Sequence, residues 1–298
     1  MFGLCHYGGP SSGSIGPVNS PSSHRRLTQC RLRRLYESLP LVTAARGLFS
    51  RMGTERLPRM GVEVFDKQAP IERTVVVVPV HNEEALLDSC LSALVRSCER
   101  VDIDVDIVVV LDSCTDTSAD IAATWADKVD ATVLTVARRN VGAARAAGFL
   151  SATGPAGKAQ DNTWFATTDA DSTVGLEWIS SHLAHAAQGA HAVAGTVVTE
   201  LDSPALTLVY DAGYRHRSGH RHVHGTNLGL RSDVYWTVGG FGALTTGEDV
   251  DLMARVERAG VPVLYSCDSP VLTSSRRSGR APDGFAAHLQ DLELAIAR

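Results

Sequence analysis

Hydrophobic and polar positions change rhythm along this chain, and the change marks out its elements. From Arg73 onward, buried-type runs alternate with helical stripes. Thr74–Pro79 is a β-branched run and predicts a strand covered on both faces. Across Glu83–Cys98, the residues Leu87, Cys90, Leu91, Leu94, Val95 and Cys98 recur at helical spacing. Asp106–Leu111 predicts a second buried strand, and Asp116 suits the cap of a helix carrying Ile121, Ala122 and Trp125. Ala131–Ala137 predicts a third strand, Val141–Ala152 a helix of small residues able to pack closely on a sheet, and Asn162–Thr168 a fourth strand. Such alternation implies βαβ units, a mainly parallel sheet and an α/β fold class.

After Asp171 the pattern is weaker. Helices are expected over Leu176–Ala187, Pro204–His216, Asp249–Ala259 and Phe285–Ala297. Strands are expected over His191–Thr199, Asn227–Arg231 and Val261–Tyr265.

The segment before Arg73 differs in charge. Residues 1–60 hold nine Arg and two Glu, a net of +7, which leaves the remainder at −12 against −5 for the whole chain. Residues 1–60 are expected to form a flexible basic extension, with the Gly/Ser/Pro-rich first 23 disordered. Between His24 and Met52, arginines mix with Leu27, Leu32, Leu35, Leu39 and Phe49, as in a basic helix that contacts anionic lipid. The plainer alternative, a poorly ordered extension upstream of Met52 and Met60, is favoured over peripheral membrane contact. The start lacks the apolar stretch of a signal peptide, and no apolar run approaches the length of a membrane span.

Composition narrows the class further. A chain of 298 residues with 44% hydrophobic and 20% charged residues can bury a substantial core. Its acidic balance argues against nucleic acid as a partner. The six cysteines are scattered, with no C-x-x-C pair, which suits a reducing cytoplasm.

Candidate chemistry collects where strands end. Glu83 follows the first strand, Asp112 the second, and Asp169 and Asp171 the fourth. Ligands of open α/β sheets bind beyond the carboxyl ends of strands. Carboxylates there suit a bound cation together with a polar ligand. Thr168-Asp169-Ala170-Asp171 brings two acids to the exit of an apolar strand, within reach of a hard divalent cation, although an ordinary Asx turn has the same composition. Gly247-Glu248-Asp249-Val250-Asp251 opens a later helix. The macrodipole alone favours acids at such a start. The functional reading is a general base at the rim of the cleft, taking a proton from an alcohol.

These pieces, in order, resemble a known family. Val77-Val78-Pro79-Val80-His81-Asn82-Glu83-Glu84, Val110-Leu111-Asp112-Ser113-Cys114-Thr115-Asp116, Asn140-Val141-Gly142-Ala143-Ala144-Arg145, Asp169-Ala170-Asp171, Gly239-Gly240-Phe241 and Glu248-Asp249 look like a family 2 glycosyltransferase of the GT-A fold. The resemblance covers about residues 73–265. It implies a GT-A domain over 61–298, with a nucleotide-binding half of about 73–171 and an acceptor-binding half of about 172–298. It implies that Pro79, Val80 and Glu83 line a nucleotide pocket, that Asp112 meets the base, usually uracil, and that Asp169 sits near ribose and metal. Asp171 then ligates Mg²⁺ or Mn²⁺ through the diphosphate, and Arg145 helps hold the nucleotide-sugar. Asp249 matches the general base of inverting members, with Glu248 beside it and Asn227 also on the acceptor side. The implied partners are a nucleotide-sugar donor, a UDP-sugar favoured, and a hydroxyl acceptor that is a small molecule, glycan or lipid.

Departures from the family pattern matter. His81 stands where most relatives have Tyr, and the Q-x-x-R-W signature of processive synthases is absent, which points to single-sugar transfer. Thr273–Arg280 offers no metal-binding His, so the metal's further ligands stay open. Arg276, Arg277 and Arg280 suit a diphosphate, a phosphorylated acceptor or merely a solvated loop. His216, His220, His222 and His224 match no zinc-enzyme spacing and read as a mobile acceptor-side loop. A nucleotidyltransferase or a non-catalytic nucleotide-sugar binder are the alternatives. The acidic Val80-His81-Asn82-Glu83-Glu84 disfavours the first, and retention of Asp171 and Asp249 disfavours the second.

Overall fold

The computed structural model describes residues 69–153, 162–214, 216–277, 279 and 284–296. The basic extension over 1–60, its lipid-contact helix, and Arg280 lie outside the described residues. Eight strands form one sheet in the order β3-β2-β1-β4-β7-β6-β8-β5. They are β1 (Arg73–Val80), β2 (Asp104–Asp112), β3 (Thr132–Val136), β4 (Thr163–Thr167), β5 (Ser172–Thr173), β6 (Ala192–Thr199), β7 (Leu228–Arg231) and β8 (Val263–Thr273). The helices are α1 (Leu87–Cys98), α2 (Ser118–Val129), α3 (Val141–Thr153), α4 (Trp178–Ala187), α5 (Pro204–Gly213), α6 (Ser232–Thr237), α7 (Glu248–Arg258) and α8 (Phe285–Ile296).

The β3-β2-β1-β4 half is wholly parallel, as its unbroken apolar runs demand. β1 is central, and alternation sends its side chains into two cores. Val76, Val78 and Val80 join Leu87, Leu91, Leu94, Val109 and Trp178 on one face. Val75 and Val77 join Ala144, Phe149, Phe165 and Tyr235 on the other. The small residues of α3 let it lie close to the sheet: a Cβ on Gly148 would stand 2.6 Å from a Val77 methyl. The N-cap of α2 is Thr117 rather than Asp116; Asp116, one residue earlier, accepts from Ser118 N at 3.0 Å and from Glu84 N at 3.0 Å.

Beyond β4 the sheet turns mixed. β7 runs antiparallel to both β4 and β6, β6 pairs in parallel with β8, and β5 is antiparallel to β8. Here the sequence expectation needs correction. β8 extends to Thr273 rather than ending at Tyr265. Ser266-Cys267-Asp268-Ser269-Pro270 reads as a turn, yet it stays extended, and its pairing with β6 shifts register between Gly195 and Val197. The two-residue β5 and six-residue α6 are too short to leave a periodic signal. Among the described residues, no helix is long and apolar enough to cross a membrane.

Candidate active site

A cleft of about 1010 Å³ opens at the carboxyl ends of β1, β2 and β4. Pro79, Val80, Glu83, Asp112, Arg145, Asp169, Asp171, Glu248 and Asp249 all line it, so the scattered acids share one space. Asn227 does not line it. Its Oδ1 accepts from Trp178 Nε1 at 2.9 Å, and its Nδ2 donates to the carbonyls of Thr196 at 2.8 Å and Ser269 at 3.0 Å. Both ends of that amide are consumed inside the core, so Asn227 ties α4, β6 and β8 together and has no group left for an acceptor.

The Asp112 carboxylate organises a loop. Its Oδ1 accepts from the amides of Arg138 at 2.7 Å and Arg139 at 2.8 Å, and from the Ser113 hydroxyl at 3.1 Å. Its Oδ2 accepts from Asn140 N at 2.9 Å. Burial works to raise its pKa, but the three amides and the hydroxyl outweigh it and hold the carboxyl below the usual range. Arg139 sits at φ 47°, a left-handed backbone costly for a residue with a Cβ, and these bonds keep it there. Three donors crowd Oδ1, whereas Oδ2 accepts from Asn140 alone and keeps a site for a further donor. Asp112 thus lines the cleft and clamps the 138–140 loop at the same time.

Arg145 is a crosspiece. Only 2% exposed, it donates to Asp169 Oδ1 at 2.6 Å and to Glu248 Oε1, and so joins the end of β4 to the start of α7. Its guanidinium lies 5.3 Å from the centre of the Phe241 ring. Gly225 has to lack a side chain, because a Cβ there would stand 2.7 Å from the guanidinium carbon. Arg145 was expected to grip the donor; two carboxylates already hold it. Burial, reinforced by Asp249 and opposed by Arg145, raises the pKa of Glu248.

Arg276 bridges two strand ends. It donates to both Glu83 oxygens at 2.9 Å and to Asp171 Oδ2 at 2.7 Å. Arg277 is turned away, onto Asp202 and Glu293 at 2.8 Å each. Asp171 Oδ1 accepts from the Ser172 hydroxyl at 3.1 Å. Burial pushes the Asp171 pKa up to about 6, with Asp169 and Glu83 adding to the effect and Arg276 opposing it. Among the described lining residues are six carboxylates and three arginines, an excess of three negative charges. A diphosphate entering this cleft would be repelled unless a cation came with it. Hard oxygen donors in an anionic pocket are of the chemistry that suits Mg²⁺ or Mn²⁺, although among the described residues no three His, Cys, Asp or Glu side chains are grouped to hold a metal ion.

Asp249 stands in the first turn of α7. Its Oδ2 accepts from Gly225 N at 2.7 Å and its Oδ1 from Val250 N at 2.8 Å, which fixes the plane of the carboxylate. Facing it, His220, His222 and His224 of the histidine-rich run are packed, while His216 is exposed. His220 is 2% exposed and bonds to the Ser266 carbonyl at 3.2 Å, and Tyr214 and His222 stack with centroids 4.2 Å apart. Sequence reading missed Tyr210, Tyr214 and Phe285, which line the cleft with His222 and His224. The i, i+4 spacing of Tyr210 and Tyr214 was the available signal.

Comparison with known proteins bears on the fold and the family. A search of curated proteins gave no match. S. aureus TarS 1–349, in complex with UDP-GlcNAc, superposes with a TM-score of 0.53 at 14% identity, over 76% of this chain and 65% of that one. The mannosyltransferase PcManGT from Pyrobaculum calidifontis, in complex with GDP-Man and Mn²⁺, superposes with a TM-score of 0.51 at 19% identity, over 77% and 72%. The chain thus spans just under two thirds of the TarS fragment. Both neighbours share the GT-A fold. The model of Glycosyl transferase family 2 matches residues 75–236, more than half of the sequence. The chain belongs to glycosyl transferase family 2 and carries the GT-A fold of glycosyltransferases.

Proposed function

We propose that the protein transfers one sugar from a nucleoside diphosphate sugar, a UDP-sugar favoured, to a hydroxyl acceptor, with inversion. The observation that carries this reading is the convergence of Asp112, Asp171 and Asp249 on one anionic cleft from separate strand and helix ends. The neighbours bound to UDP-GlcNAc and GDP-Man support the donor class.

In this reading the 138–140 loop, clamped by Asp112, forms the wall against the base. A divalent cation held at Asp171 would supply Lewis-acid stabilisation of the leaving diphosphate. Asp249 takes the proton from the acceptor hydroxyl. The oxygen bonds to the anomeric carbon as the bond from that carbon to the diphosphate breaks, and the diphosphate departs as an anion. The amides of Gly225 and Val250 hold the Asp249 carboxylate still, while its remaining lone pairs meet the hydroxyl. Arg145 keeps the helix that carries Asp249 in register with the strand end that carries Asp169.

Asp249→Asn tests the assignment. A general base contributes about 10²–10⁴-fold, so kcat should fall by that factor while UDP binding persists. Unimpaired turnover in the purified variant would remove Asp249 from the role.

A further inference from the structure

The ring-lined wall opposite the carboxylates has a chemistry of its own. Tyr210 stacks on Tyr214 at 5.2 Å and 12°, and Tyr214 stacks on His222 at 4.2 Å and 13°. Phe285, the first residue of α8, stands at right angles to both Tyr210 and His224, at 6.0 and 6.4 Å. The result is a corner of rings rather than a flat patch.

His224 is fixed within that corner. The Tyr214 hydroxyl accepts from Val197 N at 3.0 Å and pairs with His224 Nε2 at 2.8 Å, and we assign its single proton to that second bond. Burial, with His222, His220 and His288 adding to it, lowers the His224 pKa to about 3, so the ring stays neutral. A neutral imidazole whose Nε2 accepts carries its proton on Nδ1. No described residue hydrogen-bonds that Nδ1. The next residue, Gly225, gives its amide to Asp249. One stretch of chain therefore presents a fixed donor and, one residue on, orients the carboxylate assigned as base.

Building on the sugar-transfer reading, we infer that Tyr214, His224 and Phe285 form the acceptor subsite and that it takes an uncharged carbohydrate ring. Pockets that combine ring faces with a few fixed polar groups hold flat, partly apolar ligands in one orientation. A pyranose has such a face, with hydroxyls around its edge. One hydroxyl accepts from His224 Nδ1, and its neighbour lies against Asp249. A phosphorylated acceptor is disfavoured on charge. The cleft already carries excess negative charge and His224 is neutral; of its three lining arginines, Arg276 and Arg145 are each tied to two carboxylates, and Arg139 belongs to the donor-side loop held by Asp112.

The test uses the full chain with UDP and Mg²⁺ and reads saturation-transfer NMR on five probes. Three are neutral: methyl β-D-glucopyranoside, methyl α-D-mannopyranoside and N-acetylglucosamine. Two are anionic: glycerol 3-phosphate and farnesyl phosphate. At least one neutral sugar should show saturation of its ring protons, and neither phosphate should exceed it. Phe285→Ala and His224→Leu should each weaken sugar binding roughly tenfold, the scale of one lost hydrogen bond or ring contact. His224→Asn, whose amide nitrogen can stand in for Nδ1, should restore most of the loss. A merely structural His224 would not discriminate between Leu and Asn. Stronger saturation of either phosphate, no signal from any sugar, or equal signals in wild type and both disruptive variants would overturn the inference. The UDP-induced shift in thermal midpoint is read in parallel. Its absence in wild type would sink the donor reading itself, an outcome separate from loss of the acceptor subsite.

Discussion

The two walls of the cleft are built on different principles. The donor-side wall is charged, and its acids sit on rigid strand ends: Glu83 after β1, Asp112 at the end of β2, Asp169 and Asp171 after β4. Each is held by a counter-charge or by several amides. The opposite wall is nearly neutral. Its rings come from α5, the following loop and the start of α8, and they hold one another by stacking. A charged wall stays in place because its polar groups would be costly to bury unpaired. A stacked wall stays in place by shape, and single changes there should be felt locally.

The largest expected effect falls on the charged wall. Stripping divalent metal, or Asp171→Asn, should lower transfer by two orders of magnitude or more, because the anionic cleft then lacks a partner for the diphosphate. Full activity in excess chelator would instead make Arg276, the cation already on Asp171, sufficient by itself.

Next in size is Arg145→Leu. It leaves the buried Glu248 without its counter-charge beside a partly exposed Asp169, and breaking a buried pair costs about 3–5 kcal/mol, the solvent reached by Asp169 placing this one at the lower end. An unfolding free energy from urea titration lowered by less than ~1 kcal/mol would show that the crosspiece is not what joins the end of β4 to the start of α7. Asp112→Asn should be milder, about 1–3 kcal/mol, since an amide cannot accept from all four donors. Hydrogen exchange at Arg138–Asn140 should rise in that variant while the amides of β1 stay protected. Uniformly raised exchange would contradict a local role.

The same contrast explains what the sequence made legible. On the charged wall, long apolar runs fixed the strands, and an acid just past an apolar run is conspicuous, so Glu83, Asp112, Asp169 and Asp171 stood out. What each acid contacts was hidden, because partners such as Arg276 and the 138–140 amides come from distant or featureless chain. That Asp112 also clamps a loop, and that Arg145 also joins two carboxylates, could not be read from the chain. The ring wall left almost no trace. Tyr210, Tyr214, His224 and Phe285 are spread over two helices and a loop, and β8 runs unbroken through a turn-like Ser266–Pro270. Asn227 is the mirror case: polar and next to the site in sequence, it points into the core.

The smallest effect probes the seam between the two halves of the sheet. His182 on α4 is 3% exposed and sits beside Trp164 of β4 and under Gly229 of β7, where pairing changes from parallel to antiparallel. A Cβ on Gly229 would stand 2.5 Å from His182 Nδ1, so there is no room for a counter-ion. Burial lowers the His182 pKa to about 4. The unfolded chain takes up a proton near the ordinary value of about 6.5, whereas the folded chain does not. Stability from this group is therefore full above pH 6.5 and falls as the pH drops from there toward 4, by up to ~1.4 kcal/mol per pH unit. His191 and His224 are lowered in the same direction, so the measured slope is shared. Urea midpoints at pH 7.5, 6.0 and 5.0 should fall for wild type and fall less steeply for His182→Gln. Equal slopes would mean that the seam admits a charge, and that the two halves are joined by something softer than neutral, close-packed rings.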